Sequence, residues 1–294
     1  MFNHLLWTAI VTPMNSNGSI DYPTFSKLLK RKNEANNAIV LLGSTGEALA
    51  LSLEDRQEIV RFSANENISV PIMVGVGGAN LSEQKSWITY CESFEKIKSF
   101  LLPCPLYSKP GIEGQTLWFK ELLDHTNKPS MLYNVPSRTG IKLFQEVVER
   151  LSKHKNFWAL KEASGSLDEL KKYNAVAGKV QIFSGEDGLI VEQAQLGIKG
   201  LVSVAANIWP KETALYVSMA LEEDSSKLKE VWSLVIDTLF MQSNPIPAKV
   251  LMKMNGTIPC ATLRLPLTEL EIKDKSPLEK ADKIVTDWYK KERK

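Results

Sequence analysis

Histidine and cysteine are scarce in this chain of 294 residues. The three histidines are His4, His125 and His154, and none lies at the end of an apolar run. The three cysteines are far apart and form no C-x-x-C pair. Metal sites and disulfide frameworks need clustered ligands or paired cysteines, so we expect no metal, no cofactor and no disulfide. Unpaired thiols also favour a reducing, cytoplasmic location.

Net charge and long apolar stretches are missing as well. Thirty-six basic residues face 34 acidic ones, which leaves a formal charge of +2. Such a balance gives no support for a nucleic-acid or membrane partner. The opening residues, MFNHLLWTAIVTP, lack both a basic start and a 20-residue apolar run. We therefore expect neither a secretory signal nor a membrane span.

Eight short apolar runs are present, and each is followed by a stretch with helical spacing. The runs begin near residues 5, 38, 70, 97, 130, 156, 180 and 200. Continuous apolar runs are typical of parallel strands that are covered on both faces. The stretches between them carry apolar stripes such as Phe25, Leu28, Leu29 and, further on, Leu117, Phe119, Leu122, Leu123. Such stripes are typical of helix faces that pack on a sheet.

Eight strand–helix units predict an α/β fold of the (β/α)8 (TIM) barrel type. A doubly wound open sheet is the alternative, but no G-x-G-x-x-G follows the first run. After the eighth run, three helical patterns occur: SSKLKEVWSLVIDTLFMQ, IPAKVLMKMNG and PLEKADKIVTDWYKKE. We therefore expect a catalytic barrel over residues 1–224 and a helical extension over residues 225–294.

The active site of such a barrel lies at the carboxyl ends of its strands. The residues at or just after the ends of the runs include hydroxyls, one lysine and one arginine: Ser44, Thr45, Tyr107, Tyr133, Arg138 and Lys161. No histidine is among them.

Lys161 ends the apolar run in NFWALKEASG. A buried lysine costs free energy unless a partner or a chemical use offsets it. A neutral amine can attack a ketone and form a Schiff base, and an apolar environment favours the neutral form. The alternative is a structural ion pair, and the nearest carboxylate in sequence is Glu162. Adjacent strand residues point to opposite faces, so we expect Glu162 to point away. The pattern alone leaves both interpretations open.

The other candidates suggest proton transfer and carboxylate binding. The loop GSTGE can offer successive N–H groups and the Thr45 hydroxyl to an anion, and Arg138 carries a planar fork that matches a carboxylate. Tyr133 can pass protons if Ser44 and Tyr107 complete a hydroxyl chain. Taken singly, each has an ordinary structural explanation: a tight turn, a surface arginine or packed tyrosines. Together they indicate a carbonyl substrate that bears carboxylates.

The motifs GSTGEA, PLYSKPG, YNVPSRTG, LKEASG, NPIPAK and LRLPL occur in this order. With them, the chain resembles the 4-hydroxy-tetrahydrodipicolinate (dihydrodipicolinate) synthases over essentially its whole length. GSTGE and the lysine strand resemble the wider superfamily of pyruvate-dependent class I aldolases, which includes the N-acetylneuraminate lyases. The arginine of YNVPSRTG resembles the synthase branch.

The resemblance implies a lyase that condenses pyruvate with L-aspartate 4-semialdehyde and closes a ring, in lysine and diaminopimelate biosynthesis. It implies that Lys161 forms the Schiff base and that Tyr133 is the proton donor and acceptor. Ser44 and Tyr107 would complete the relay, with Tyr107 reaching in from a neighbouring subunit. The resemblance also implies a homotetramer, built as a dimer of dimers.

The substrate-binding residues follow from the same resemblance. Thr45 and the adjacent backbone would hold the pyruvate carboxylate, and Arg138 would bind the carboxylate of the semialdehyde. Backbone groups of Gly185 and Val202 would line the lysine. Ser44 departs from the family, which usually has threonine there, but a serine hydroxyl can still relay a proton.

A second departure concerns feedback inhibition. In lysine-inhibited members, the inhibitor lies in a cleft whose matching positions here are Ala48, Leu49, Arg56, Asn80, Gln84 and Leu106. Asn80 fits the pattern. Gln84 replaces a glutamate, Leu106 a tyrosine and Arg56 a histidine. The resemblance therefore implies weak or absent inhibition by L-lysine.

The sequence leaves two alternative functions open. One is another Schiff-base pyruvate aldolase, such as a lyase acting on N-acetylneuraminate or a keto-deoxy sugar acid; Arg138 argues against it. The other is a non-catalytic barrel that binds or regulates, which would not need a complete set of rim residues.

Overall fold

Eight parallel strands close into a barrel in a computed structural model that describes residues 2–222 and 226–293. Each strand pairs with the next in the chain, and the last pairs with the first. The strands are β1 (Leu6–Ala9), β2 (Ala38–Leu41), β3 (Ile72–Gly75), β4 (Ile97–Pro103), β5 (Ser130–Asn134), β6 (Phe157–Glu162), β7 (Gln181–Ser184) and β8 (Gly200–Ser203). The predicted (β/α)8 barrel is confirmed, and the open sheet is wrong.

Helices follow the strands and cover the outside of the barrel. They are α1 (Tyr22–Glu34), α2 (Leu53–Asn65), α3 (Leu81–Glu92), α4 (Ile112–His125), α5 (Pro136–Thr139), α6 (Gln145–Leu151), α7 (Leu167–Val176), α8 (Ile190–Ala194), α9 (Pro210–Ala220), α10 (Ser226–Leu239), α11 (Ile246–Met254) and α12 (Ser276–Glu292). Short polar side chains begin several of them; Ser52, for example, accepts a hydrogen bond from the Asp55 N–H at the start of α2. Within α4 one expectation is wrong, because Leu117 is exposed while Phe119 and Leu122 are buried.

The apolar residues form two clusters, one inside the barrel and one between the sheet and the helices. The inner cluster contains Trp7, Trp158 and Phe183. The Trp158 ring lies 5.7 Å from the Trp7 ring and 5.6 Å from the Phe183 ring, between centroids. The barrel interior is therefore a packed core, as is usual for this fold.

A bulge in β6 decides which of its residues face that interior. Ser130 of β5 pairs with Phe157, but Met131 pairs with Ala159, so β6 carries one extra residue there. Phe157 belongs to the outer cluster and Ala159 to the inner one. Because side chains alternate beyond the bulge, the residue two positions after Ala159 also faces inward. That residue is Lys161.

The three expected C-terminal helices are present as α10, α11 and α12. Trp232 of α10 stacks on Tyr216 of α9 at 4.2 Å between ring centroids and meets Trp288 of α12 edge-on. The boundary expected between residues 224 and 225 falls outside the described residues and stays a prediction. Among the described residues, no helix combines the length and the apolar character that a membrane crossing requires.

Candidate active site

Lys161 lies near the carboxyl end of β6 and is only 6% exposed. Its register partner on β5 is Tyr133, which is also buried. The Lys161 Nζ lies 4.2 Å from the centroid of the Tyr133 ring. In the described part of the chain, Lys161 forms no ion pair with a carboxylate. The predicted nucleophile and the predicted proton-transfer residue therefore lie in contact inside the barrel mouth.

Glu162 points away from Lys161, as strand alternation predicts. Its Oε2 accepts a hydrogen bond of 2.6 Å from Asn134 Nδ2, and its Oε1 accepts bonds from the N–H and the hydroxyl of Ser164. Burial raises the pKa of the Glu162 carboxyl, although these hydrogen bonds oppose the shift. Asn134 and Glu162 are themselves register partners, next to Tyr133 and Lys161. The structure thus excludes the Lys161–Glu162 ion pair.

Gly185 follows β7 and packs directly on the lysine. A Cβ atom at this position would lie 2.6 Å from Lys161 Cε and 2.6 Å from Ala163 Cβ. The next residue, Glu186, is half-buried, and burial raises the pKa of its carboxyl while the Lys161 charge opposes the shift. Val202 lies on β8 in the inner cluster. Both positions predicted to line the lysine are therefore on the barrel interior, but only Gly185 has a contact that leaves no room for a side chain.

The GSTGE loop after β2 is shaped as an anion-binding turn. The N–H groups of Gly46 and Glu47 donate to the carbonyls of Gly43 and Ser44, whereas the N–H groups of Ser44 and Thr45 have no acceptor in the part of the chain that is described. Thr45 is buried, and its Oγ1 accepts a bond of 2.9 Å from Asn244 Nδ2. Two free N–H groups beside a hydroxyl can hold a carboxylate.

Glu47, at the end of that loop, anchors it to the C-terminal helices. It has a left-handed backbone (φ 57°) and is buried. Its carboxylate accepts a 2.6 Å bond from Lys249 Nζ of α11 and a 2.8 Å bond from the Arg264 N–H. The motifs NPIPAK and LRLPL therefore hold GSTGE in place. Sequence reasoning assigned these residues no role, because only the fold brings them together.

Arg138, Ser44 and Tyr107 lie at the open rim. Arg138 is in α5, exposed, and donates from Nη2 to the Asn244 carbonyl at 3.4 Å. Tyr107 is 96% exposed and has a left-handed backbone (φ 68°). These three residues and Tyr133 line one cavity of about 750 Å³. Within the described residues, no hydrogen bond joins the hydroxyls of Ser44, Tyr107 and Tyr133, so a single chain does not assemble the predicted relay.

The sequence as a whole was compared with known proteins. Residues 2–285 match the model of the dihydrodipicolinate synthetase family. A curated relative from Francisella tularensis subsp. novicida (strain U112), a 4-hydroxy-tetrahydrodipicolinate synthase, is 49% identical over 98% of this chain and 97% of its own. One of the same name from Wolbachia pipientis subsp. Culex pipiens (strain wPip) is 42% identical over 98% of both chains.

Solved structures agree with the sequence comparisons. The chloride-inhibited dihydrodipicolinate synthase of Acinetobacter baumannii, complexed with pyruvate, superposes with a TM-score of 0.89 at 32% identity, covering 97% of this chain and 99% of that one. The enzyme of Cyanidioschyzon merolae with lysine bound gives a TM-score of 0.90 at 27% identity, covering 97% and 98%.

Proposed function

The chain belongs to the dihydrodipicolinate synthetase family, and we propose that it condenses pyruvate with L-aspartate 4-semialdehyde to give 4-hydroxy-tetrahydrodipicolinate. The observation that carries the proposal is the contact between Lys161 and Tyr133 at the barrel mouth. A buried lysine that forms no ion pair among the described residues, beside a phenol and an anion-binding turn, suits Schiff-base chemistry on a keto acid.

The first half of the reaction activates pyruvate. The neutral Lys161 amine attacks C2 of pyruvate, and loss of water gives the imine. The pyruvate carboxylate binds Thr45 and the free N–H groups of the GSTGE loop. Tyr133 gives its hydroxyl proton to the oxygen that leaves as water and, as the phenolate, takes the proton from C3, which becomes the enamine carbon. Gly185 leaves the room that the lysine side chain needs to carry the adduct.

The second half joins the two substrates. Arg138 binds the carboxylate of the semialdehyde, and the enamine C3 attacks the aldehyde carbon. The new alkoxide receives a proton from Tyr133. The substrate amine then attacks the imine carbon, closes the ring and releases Lys161 as a free amine. Atoms balance, because the water lost on imine formation carries away the ketone oxygen of pyruvate.

Product analysis tests this function. Incubation with both substrates should give, by mass spectrometry, a product with the summed mass of the two substrates less one water, and omission of either substrate should abolish it. The variant Arg138→Ala should need far more semialdehyde while still forming the pyruvate imine. Cleavage of N-acetylneuraminate or a keto-deoxy sugar acid, with no condensation product, would contradict the proposal and favour the other aldolase.

We further propose a homotetramer, a dimer of dimers, in which Tyr107 completes the site of a neighbouring subunit. Apolar side chains surround the same cavity and are open to solvent in the single chain: Leu49, Tyr107 and Leu265. A second copy of the chain would cover them and bring a hydroxyl to the relay. Light scattering should give the mass of four chains.

Mixing two inactive variants tests whether Tyr107 acts across subunits. The Tyr107→Phe chain keeps Lys161, and the Lys161→Ala chain keeps Tyr107. After unfolding and refolding together, mixed dimers should recover activity, because one site then has both groups. No recovery, although mixed assemblies form, would mean that Tyr107 acts within its own chain.

We propose a cytoplasmic location for the protein. Cys91, Cys104 and Cys260 are all free thiols. Free thiols favour a reducing compartment.

A further inference from the structure

Asn244 joins the two residues assigned to carboxylate binding. It lies between α10 and α11 and is only 7% exposed. Its Nδ2 donates to Thr45 Oγ1 at 2.9 Å, and its main-chain carbonyl accepts from Arg138 Nη2 at 3.4 Å. One residue of the C-terminal extension therefore contacts a binding side chain on each of two loops of the barrel.

The direction of the Asn244–Thr45 bond matters for chemistry. A threonine hydroxyl has one proton to donate and can accept from other donors. Because Thr45 Oγ1 accepts from Asn244, its own proton stays available for another acceptor. A carboxylate held by the adjacent free N–H groups is such an acceptor, and a bond to a charged acceptor is stronger than a neutral one.

Among the asparagines that the structure describes, Asn244 alone has a buried Oδ1 atom without a hydrogen-bond partner. Asn134 and Asn207 have bonded partners at both Oδ1 and Nδ2. In Asn244, Oδ1 is buried and has no partner among the described residues. A fully buried amide oxygen with a purely structural role would be expected to have a partner, because an unpaired buried acceptor costs free energy. This pattern favours a role in the site over a role in folding alone.

We propose that Asn244 is a positioning residue that fixes Thr45 as a hydrogen-bond donor to the keto-acid carboxylate. The inference deepens the function proposed above and rests on it. Asn244 does not touch the reacting carbon in this account. Its loss should weaken the binding of pyruvate and leave imine chemistry at saturation largely intact.

Borohydride trapping of the pyruvate imine measures this directly. We expect Asn244→Ala to raise the pyruvate concentration for half-maximal adduct by about tenfold or more, at an unchanged maximal yield. The main-chain carbonyl that meets Arg138 survives in this variant, so the KM for the semialdehyde should change less than the KM for pyruvate.

Two comparisons separate positioning from a general loss of structure. Thr45→Val should raise the pyruvate requirement by a similar factor. Adding Asn244→Ala to Thr45→Val should raise it little further, because both changes remove the same interaction. Asn156→Ala removes another buried amide, which bonds to the carbonyls of Leu123 and Thr126. That control should lower the melting temperature without raising the pyruvate requirement.

Asn244→Asp serves if the alanine variant fails to fold. An ionised carboxylate cannot donate to Thr45, so the pyruvate requirement should rise, and it should rise much less for pyruvamide, which lacks the carboxylate. An unchanged pyruvate requirement in the folded variants would overturn the proposal. It would also be overturned if the rise in the double variant equalled the product of the rises in Asn244→Ala and Thr45→Val. No adduct in the unaltered protein would contradict the proposed function itself, and this inference with it.

Discussion

Lys161 Nζ lies 4.2 Å from the centroid of the Tyr133 ring, between two strands whose pairing places the residues side by side. Two features of β5 and β6 set this contact. The bulge in β6 turns Lys161 inward, and the bond from Asn134 to Glu162 ties the same two strands on the outer face. The geometry of the proposed catalytic pair is therefore set by backbone register and a buried polar bond.

Gly185→Ala should impair imine formation. The new methyl group would need the space that Lys161 Cε and Ala163 Cβ already occupy, at 2.6 Å from each. We expect at least a tenfold lower rate of borohydride trapping and a loss of about 1–3 kcal/mol in the free energy of unfolding. Gly111→Ala is the matched control, because its Cβ would meet nothing within 4 Å and its φ is −73°. Equal trapping rates in both variants would contradict the steric role of Gly185.

Lys249→Met should destabilise the protein strongly. Both side chains of the Glu47–Lys249 pair are almost completely buried, and burial lowers the pKa of Lys249 while the charge of Glu47 opposes this shift. Removing the lysine leaves a buried carboxylate, at a cost of about 3–5 kcal/mol in the free energy of unfolding. The double variant Glu47→Gln, Lys249→Met should recover part of the loss. Lys120→Met, which breaks an exposed pair with Asp124, should leave the denaturation curve essentially unchanged. Equal effects of the two single variants would contradict this assignment.

The stability of the native protein relative to the variant Glu162→Gln should depend on pH. Burial raises the folded-state pKa of Glu162 above the ordinary 4.5, so the folded state binds more protons than the unfolded state just above that pH. The stability from this group is complete below its unfolded pKa and falls as pH rises towards the folded value. Glutamine does not titrate, and its NH2 would face the Asn134 amide donor. Denaturant curves at several pH values should show that the difference in free energy of unfolding between the native protein and Glu162→Gln becomes smaller as pH rises. A difference that stays constant with pH would contradict the raised pKa of Glu162.

L-Lysine should inhibit weakly or not at all. Arg56 lies with its guanidinium carbon 5.4 Å from the centroid of the Trp87 ring, and Gln84 is buried beside Gly78. A lysine ammonium at these positions would meet a cation at Arg56 and an uncharged amide at Gln84, where the family resemblance leads us to expect a glutamate. Gln84→Glu should increase the sensitivity to lysine. Half-inhibition of the unaltered protein below about 1 mM would contradict the prediction.

The sequence predicts the barrel well because each strand is a local apolar run, and parallel strands must be buried on both faces. It predicts the chemical groups at the rim for the same reason. Counting alternate residues from Phe157 would, however, place Lys161 on the outer face, and only the bulge reverses that. The bond between Asn244 and Thr45 spans 199 residues of chain, and the pairing of Glu47 with Lys249 spans 202. Contacts between residues so far apart in the chain leave no local pattern in the sequence, so only the structure shows them.

The most direct test of the central claim is to find which lysine reacts with pyruvate. The protein would be incubated with pyruvate, reduced with borohydride and mapped by peptide mass spectrometry. Lys32 and Lys249 are internal controls, because they are fully buried and their Nζ atoms donate hydrogen bonds to carbonyl or carboxylate oxygens. The account predicts a pyruvyl adduct on Lys161 and none on these two. A folded protein with no adduct, or with the adduct on another lysine, would contradict it.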